Sequence, residues 1–381
     1  MGKLKVMTVF GTRPEAIKMA PLVLELKKHK EIQPFVTVTG QHREMLDQVL
    51  DVFGVTPDYD LNIMKSRQTL TDITTSALIG LDEIIKKVKP DLILVHGDTT
   101  TTFAASLAAF YNQVQVGHVE AGLRTWKKYS PFPEEMNRQL TGVIADFHFA
   151  PTIKSADNLL AENKKKESIF ITGNTAIDAL KTTVTKEYQH PLLTKLDADK
   201  MILLTAHRRE NLGEPMRNMF NAIKQIVEEH DDVQVVYPVH LNPLVREAAS
   251  DIFGNNSRVH LIEPLGVVDF HNFMNRAYFI LTDSGGVQEE APSVGTPVLV
   301  LRDTTERPEG IDAGTLKLAG TDQQTIYSLM KQLLTDEDVY QFMAQASNPY
   351  GDGKASRRIV EAIKYSFHVS DKRPQDFGSN S

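Results

Sequence analysis

LKVMTVFGTRPEAIKMAPLVLELKK, Leu4–Lys28, opens the chain with a short apolar run, a glycine break and a longer amphipathic stretch. Leu4–Phe10 has the branched, apolar make-up of a strand buried on both faces, and Glu15–Lys28 has the spacing of a helix. The same alternation returns as Phe35–Thr39 then Arg43–Phe53, and as Asp91–His96 then Thr100–Tyr111. Strand followed by helix followed by strand is the signature of a parallel sheet. Val114–Val119, Asp146–Ala150 and Ser168–Ile171 add further strands, about six in this half.

Between Lys181 and Lys200 the apolar period fades, and the pattern then restarts. Strands are expected at Met201–Ala206, Val233–Val239, Arg258–Ile262, Tyr278–Thr282 and Pro297–Leu301, with helices at Glu214–Glu229 and Pro243–Phe253. At roughly 150 residues per domain, 381 residues make two domains or three. The expectation is an N-terminal α/β domain over residues 1–180 and a second over 181–364. Ala355–Phe367 reads as a helix, and a C-terminal helix at about 365–381 is expected to pack back on the first domain, with the tail DKRPQDFGSNS fraying.

Composition narrows the function. The formal charge of −7 lacks the positive field a nucleic-acid binder needs. The absence of cysteine removes disulfides, iron–sulfur clusters and thiol catalysis. Charges at Lys3, Lys5, Arg13, Glu15 and Lys18 interrupt any signal-peptide core, and the uncharged run Thr99–Val119 is too polar for a membrane helix, so a cytoplasmic protein without membrane insertion is expected. No G-x-G-x-x-G follows the first strand and no P-loop occurs. D-x-D appears three times in charged or turn-like settings and marks no metal site.

Ligands of open parallel sheets bind at the carboxyl ends of strands. There, Arg13 and Lys18 read as cations of a phosphate site or as solvated surface; Pro14 suits a first helical turn whose N–H groups point outward. Thr282–Glu290 follows a strand and opens a helix: Gly285 and Gly286 admit an anion close to the backbone, and Glu290 could accept from a ribose diol or simply be solvated. Asp98, Glu120, Glu134 and His207 are candidate acids and bases. Asp98 reads equally as a helix N-cap and His207 equally as a surface histidine.

With FGTRPEAIKMAPL, TGQHREML, VHGDTTTT, GHVEAGLRT, PEEMNR, ITGNTAIDAL, HRREN, YPVHLNP, LTDSGGVQEEAPS, DTTERPE and NPYGDGKAS in place, the sequence resembles the bacterial non-hydrolysing UDP-N-acetylglucosamine 2-epimerases from Leu4 to about Arg358. That resemblance implies two Rossmann-like domains facing a cleft, the GT-B arrangement, and a homodimer. It implies interconversion of UDP-N-acetylglucosamine (UDP-GlcNAc) and UDP-N-acetylmannosamine (UDP-ManNAc) through a 2-acetamidoglucal, with neither metal nor cofactor. It assigns catalysis to Asp98, Glu120, Glu134 and His207, and UDP binding to Arg13, Lys18, Ser284, Gly285, Gly286 and Glu290. A regulatory UDP-GlcNAc would meet Gln41, His42, Arg67, Gln68, Glu134, Arg208 and His240. A hydrolysing epimerase and a GT-B glycosyltransferase are the alternatives; teichoic-acid linkage units, capsule and other surface glycans all draw on the product.

Overall fold

Strands covered on both faces must be apolar along their whole length, and the central strands are. β1 (Leu4–Phe10) carries Val6, Met7, Val9 and Phe10 without solvent exposure, and β2 (Ile32–Val38) pairs with it in parallel. The computed structural model describes residues 2–41, 43–196, 200–254 and 256–379. β3 (Tyr59–Asp60), β4 (Leu92–His96), β5 (Gln115–Val119), β6 (Phe147–Ala150) and β7 (Ile169–Ile171) complete a parallel sheet of order β3-β2-β1-β4-β5-β6-β7. Over one face, Ile73, Ala77 and Leu81 of helix Leu70–Val88 and Ala104, Ala105 and Ala108 of helix Thr100–Tyr111 pack on Met7, Val9, Ile93 and Val95. Alanines let the second helix lie close.

Helix Leu70–Val88 starts at a reciprocal cap: the Thr69 N–H donates to Asp72 at 2.8 Å, and Asp72 N–H donates to Thr69 Oγ1 at 3.2 Å. It stops at Lys89, in the left-handed region at φ 51°. No described helix is long and apolar enough to cross a membrane.

The second sheet repeats the plan. β8 (Lys200–Thr205), β9 (Val233–Pro238), β10 (Val259–Ile262), β11 (Phe279–Thr282), β12 (Val298–Val300) and β13 (Leu316–Leu318) lie parallel in the order β10-β9-β8-β11-β12-β13. Phe220, Tyr237 and Phe253 anchor one core layer and Leu203, Phe273 and Met274 another. The expected pair of Rossmann-like α/β domains is therefore present.

By contact the chain divides into Met1–Ala179 with Gly351–Ser381, and Leu180–Tyr350, the boundary falling inside helix Thr175–Thr183. Residues 351–364 thus go with the first unit, because helix Ala355–Ser366 lays its buried Ile359, Val360 and Ile363 toward helix Arg13–Lys27. That helix ends at Ser366, so 365–381 is not helical beyond this point. Nor is the tail frayed over its described residues, 371–379. Asp376 accepts the Ile171 N–H at 2.9 Å, Phe377 N–H donates to the Ile171 carbonyl at 2.7 Å, and the Arg373 guanidinium lies 4.1 Å from the Phe170 ring centroid. β7 is an edge strand whose open N–H and C=O groups demand partners, and the tail supplies them. β3 and β13, also edges, are too short to show a period in sequence.

Deleting residues 371–381 is expected to remove about 2 kcal/mol, from two hydrogen bonds to the Ile171 backbone and the cation–π contact, lowering the first unit's melting temperature by about 4–8 °C in a thermal scan. An unchanged melting curve would show that the tail seals nothing.

Candidate active site

Strand order reverses between β1 and β4 in the first sheet and between β8 and β11 in the second. Connections leaving these neighbours diverge, which opens a crevice at their carboxyl ends. The segments that follow these strands carry Arg13, Asp98, His207 and Ser284 of the polar residues noted in the sequence.

In the first unit the loop after β1 is built around Glu15, which is 2% exposed. Its Oε2 accepts from Gly11 N–H (3.0 Å), Thr12 N–H (2.8 Å) and Thr12 Oγ1 (2.8 Å), and its Oε1 accepts from Thr99 Oγ1 (2.7 Å) after β4. Glu15 thereby takes the N–H groups of Gly11 and Thr12, which precede the helix, so these two amides are already engaged. Burial pushes the Glu15 carboxyl up in pKa against these bonds. Arg13 is half-buried, burial lowers its pKa, and no ion pair to it is found among the described residues.

Asp98 does not cap helix Thr100–Tyr111. Thr99 does, accepting from Thr102 N–H at 3.1 Å, which frees the Asp98 carboxylate for another task. It is gripped by Arg138, four residues along the helix from Glu134. Burial raises its pKa, Arg138 opposes this, and the carboxylates of Glu120 and Glu134 add to the rise. Glu120 ends β5 in the left-handed region at φ 62°, a conformation that costs a non-glycine residue of order 1 kcal/mol and clusters at functional sites. Its side chain meets Lys18, takes a hydrogen bond from Asn174 Nδ2 at 3.2 Å and lies 3.7 Å from His96 Nε2. His118 Nε2 donates to the Gly97 carbonyl at 2.7 Å, fixing the turn that carries Asp98.

In the second unit Asp283, fully buried, plays the bridging part. It accepts from the N–H groups of His207 and Arg208, each at 2.8 Å, and its Oδ1 lies 3.3 Å from His207 Nδ1. Burial lowers the His207 pKa, Asp283 pulls it up, and His240 and Arg208 lower it further. The His240 ring stacks on His207 with centroids 5.4 Å apart. Ser284, Gly285 and Gly286 follow. A side chain at 285 would strike the Arg307 guanidinium at 2.7 Å, so glycine is what lets this cation, held by Glu289 at 2.8 Å, lie against the turn.

The structure thus gathers Lys18, Asp98, Glu120 and Glu134 in the first unit, and His207, Arg208 and His240 in the second. Gln41 lines the first crevice, accepting from Thr101 Oγ1 at 3.1 Å. Arg67 is exposed at φ 57° and Gln68 accepts the Lys65 N–H within its own loop at 2.6 Å; among the described residues neither is tied to the carboxylates. His42 lies outside the described residues. Glu15, Arg138, Asp283 and Arg307 were not among the candidates. Thr12-x-x-Glu15 has the spacing of a capping box, which could have flagged Glu15; the bridge from Asp283 to the loop after β8 leaves no mark in sequence.

Two Rossmann-like units, one with an acid/base cluster and one with a glycine turn under a cation, define an enzyme of the GT-B nucleotide-sugar class. The chain belongs to the UDP-N-acetylglucosamine 2-epimerase family, whose model matches residues 24–364. It is 72% identical over 377 residues to the UDP-N-acetylglucosamine 2-epimerase of Bacillus subtilis (strain 168), with 99% of each chain covered. A crystal structure of a UDP-N-acetylglucosamine 2-epimerase superposes with TM-score 0.94 at 70% identity, covering 100% of both chains. The Neisseria meningitidis enzyme bound to UDP-GlcNAc superposes with TM-score 0.85 at 51% identity, covering 94% of this chain and 99% of that one.

Three buried histidines set a pH limit. Burial holds His96 and His148 at about 4 and His118 at about 3, so all stay neutral when folded while the unfolded chain binds protons below pH 6.5. Their contribution is complete above pH 6.5 and is lost as pH falls toward 4. Denaturant unfolding at pH 6.5 and 5 is expected to differ by about 2 kcal/mol per imidazole, and His118→Asn should flatten that slope by about one proton. An unaltered slope in the variant would remove His118 from the account.

Proposed function

We propose that the chain interconverts UDP-GlcNAc and UDP-ManNAc by eliminating UDP and adding it back. Family membership supports the epimerase reading. The observation that carries the chemistry is the carboxylate cluster, where burial and the neighbours Glu120 and Glu134 raise Asp98 in pKa while Lys18 engages Glu120. Groups pushed apart in proton affinity can serve as acid and base at neutral pH.

The proton on carbon 2 has no adjacent carbonyl to stabilise a carbanion. As a carboxylate removes it, the C2–H electrons form the C1=C2 double bond and the C1–O bond breaks, its electrons leaving on UDP. The 2-acetamidoglucal then accepts a proton on the other face of carbon 2 while UDP oxygen returns to carbon 1. Electrons balance through the diphosphate, so the scheme calls for neither metal nor redox cofactor. Two of the carboxylates Asp98, Glu120 and Glu134 are assigned the proton transfers, one at each face of carbon 2. His207, whose Nδ1 lies 3.3 Å from Asp283 Oδ1, is assigned the departing diphosphate as a hydrogen-bond donor, with Arg13, Lys18, Ser284, Gly285 and Gly286. Glu290 is assigned the ribose.

Gln41, His42, Arg67, Gln68, Glu134, Arg208 and His240 are assigned a second, regulatory UDP-GlcNAc; the stacking of His240 on His207 supports a link between the two roles. A homodimer is also inferred. Adjacent helices Leu70–Val88, Thr100–Tyr111 and Glu134–Ile144 expose Ile79, Phe110, Tyr111, Leu140 and Val143, an apolar display of the kind a second copy covers.

Proton NMR with UDP-GlcNAc in deuterium oxide is expected to show UDP-ManNAc with deuterium at carbon 2. Asp98→Asn and Glu120→Gln should each lose about 10²–10⁴-fold in turnover with unchanged circular dichroism. Free N-acetylmannosamine with UDP would make the enzyme hydrolysing, and an unchanged spectrum would overturn the epimerase reading. From UDP-ManNAc alone, the rate curve should be non-hyperbolic and become hyperbolic on adding a trace of UDP-GlcNAc; a hyperbola from the outset would reject the regulatory site.

A further inference from the structure

His271 is 3% exposed on helix Val267–Arg276 and is in contact at both ring nitrogens. Nδ1 lies 2.7 Å from Thr183 Oγ1, and Nε2 lies 3.3 Å from Glu290 Oε2. An ionised carboxylate only accepts, so Nε2 carries the hydrogen; in the neutral ring Nδ1 is then the acceptor and the Thr183 hydroxyl donates to it. One neutral tautomer satisfies both contacts. The far end of this chain is itself fixed, since buried Asn272 donates to the Thr183 carbonyl at 2.7 Å and accepts the Thr185 N–H at 3.1 Å.

The other end is open. Glu290 Oε1 lies on the side of Gly286, 3.7 Å from where a Cβ would sit, so one oxygen is held by the imidazole and the other faces the glycine turn. A glutamate side chain loses rotamer freedom worth up to about 2 kcal/mol when it is fixed, and a buried partner that fixes it beforehand removes that cost from the binding step. A leucine would fill the same volume without two ring nitrogens that each need a partner.

We propose that His271 is a positioning residue: it holds Glu290 in the orientation that meets the ribose diol of a nucleoside diphosphate, and so makes the ribose hydroxyls count in recognition. The proposal rests on the assignment of Glu290 to the ribose. Thr183 is the outer support, and a carboxylate released from His271 would still carry its charge but lose its direction.

Titration calorimetry with UDP, 2′-deoxy-UDP and 3′-deoxy-UDP on the full chain tests this. The wild type should bind at least one deoxy analogue about tenfold or more weakly than UDP, as expected for a hydrogen bond to a charged group. His271→Leu should bring that ratio toward one, chiefly by weakening UDP, with deoxy-UDP affinity little altered. Thr183→Val, which keeps shape and removes the donor, should lower the ratio in the same direction, and it carries the test alone if His271→Leu does not fold. Glu290→Gln separates the two claims. If it lowers the ratio while both His271→Leu and Thr183→Val keep the wild-type value, His271 has no positioning role. If Glu290→Gln itself keeps the wild-type ratio, the ribose assignment fails and the proposal falls with it.

Discussion

In each unit a buried carboxylate spans the two strands at which strand order reverses. Glu15, just after β1, takes the Thr99 hydroxyl beyond β4; Asp283, just after β11, takes the His207 and Arg208 amides beyond β8. A crevice between diverging loops exists only because those loops are not covered by a neighbour, and uncovered loops are mobile unless something ties them. A carboxylate out of water is costly unless it is hydrogen-bonded, so Glu15 takes donors on both oxygens and Asp283 takes three on Oδ2, backbone amides of the loops among them. Asp98 immediately precedes Thr99, and His207 supplies one of the amides.

Beneath the first crevice the scaffold is polar yet uncharged. His96 and His118 end or occupy the adjacent strands β4 and β5 and are kept neutral by burial. Neutral imidazoles can orient the Gly97 carbonyl and pack near Glu120 without cancelling the carboxylates' field. Burial is the main cause of the rise in Asp98, and the carboxylates of Glu120 and Glu134 add to it against Arg138. Glu120 reaches the same cluster through a left-handed backbone, which turns its side chain out of the pleat of β5.

The long elements were legible because burial on both faces writes itself as runs of Val, Ile and Leu. Leu4–Phe10, Arg43–Phe53, Thr100–Tyr111, Glu214–Glu229 and Pro243–Phe253 stand at the expected bounds. Edge strands β3 and β13 were not, since two or three residues carry no period. The site was legible as residue types at strand ends. Its wiring was not: Glu15, Arg138, Asp283 and His271 matter through partners remote in sequence, as with the 72-residue separation of Asn211 and Asp283. Asp98 was ambiguous between cap and functional carboxylate until Thr99 was seen to hold the cap.

The first unit is assembled from both ends of the chain, Met1–Ala179 and Gly351–Ser381, whereas the second is one continuous stretch. Synthesis proceeds from the N-terminus, and domains fold as units while it does. The second unit therefore has all its residues before the first does. Until Gly351 and the residues after it have been made, the opening half of the protein lacks the helix Ala355–Ser366 that covers Arg13–Lys27 and the strap that closes β7. A nascent first unit therefore presents an apolar helix face and a bare sheet edge until the segment from Gly351 onward has been made and has docked.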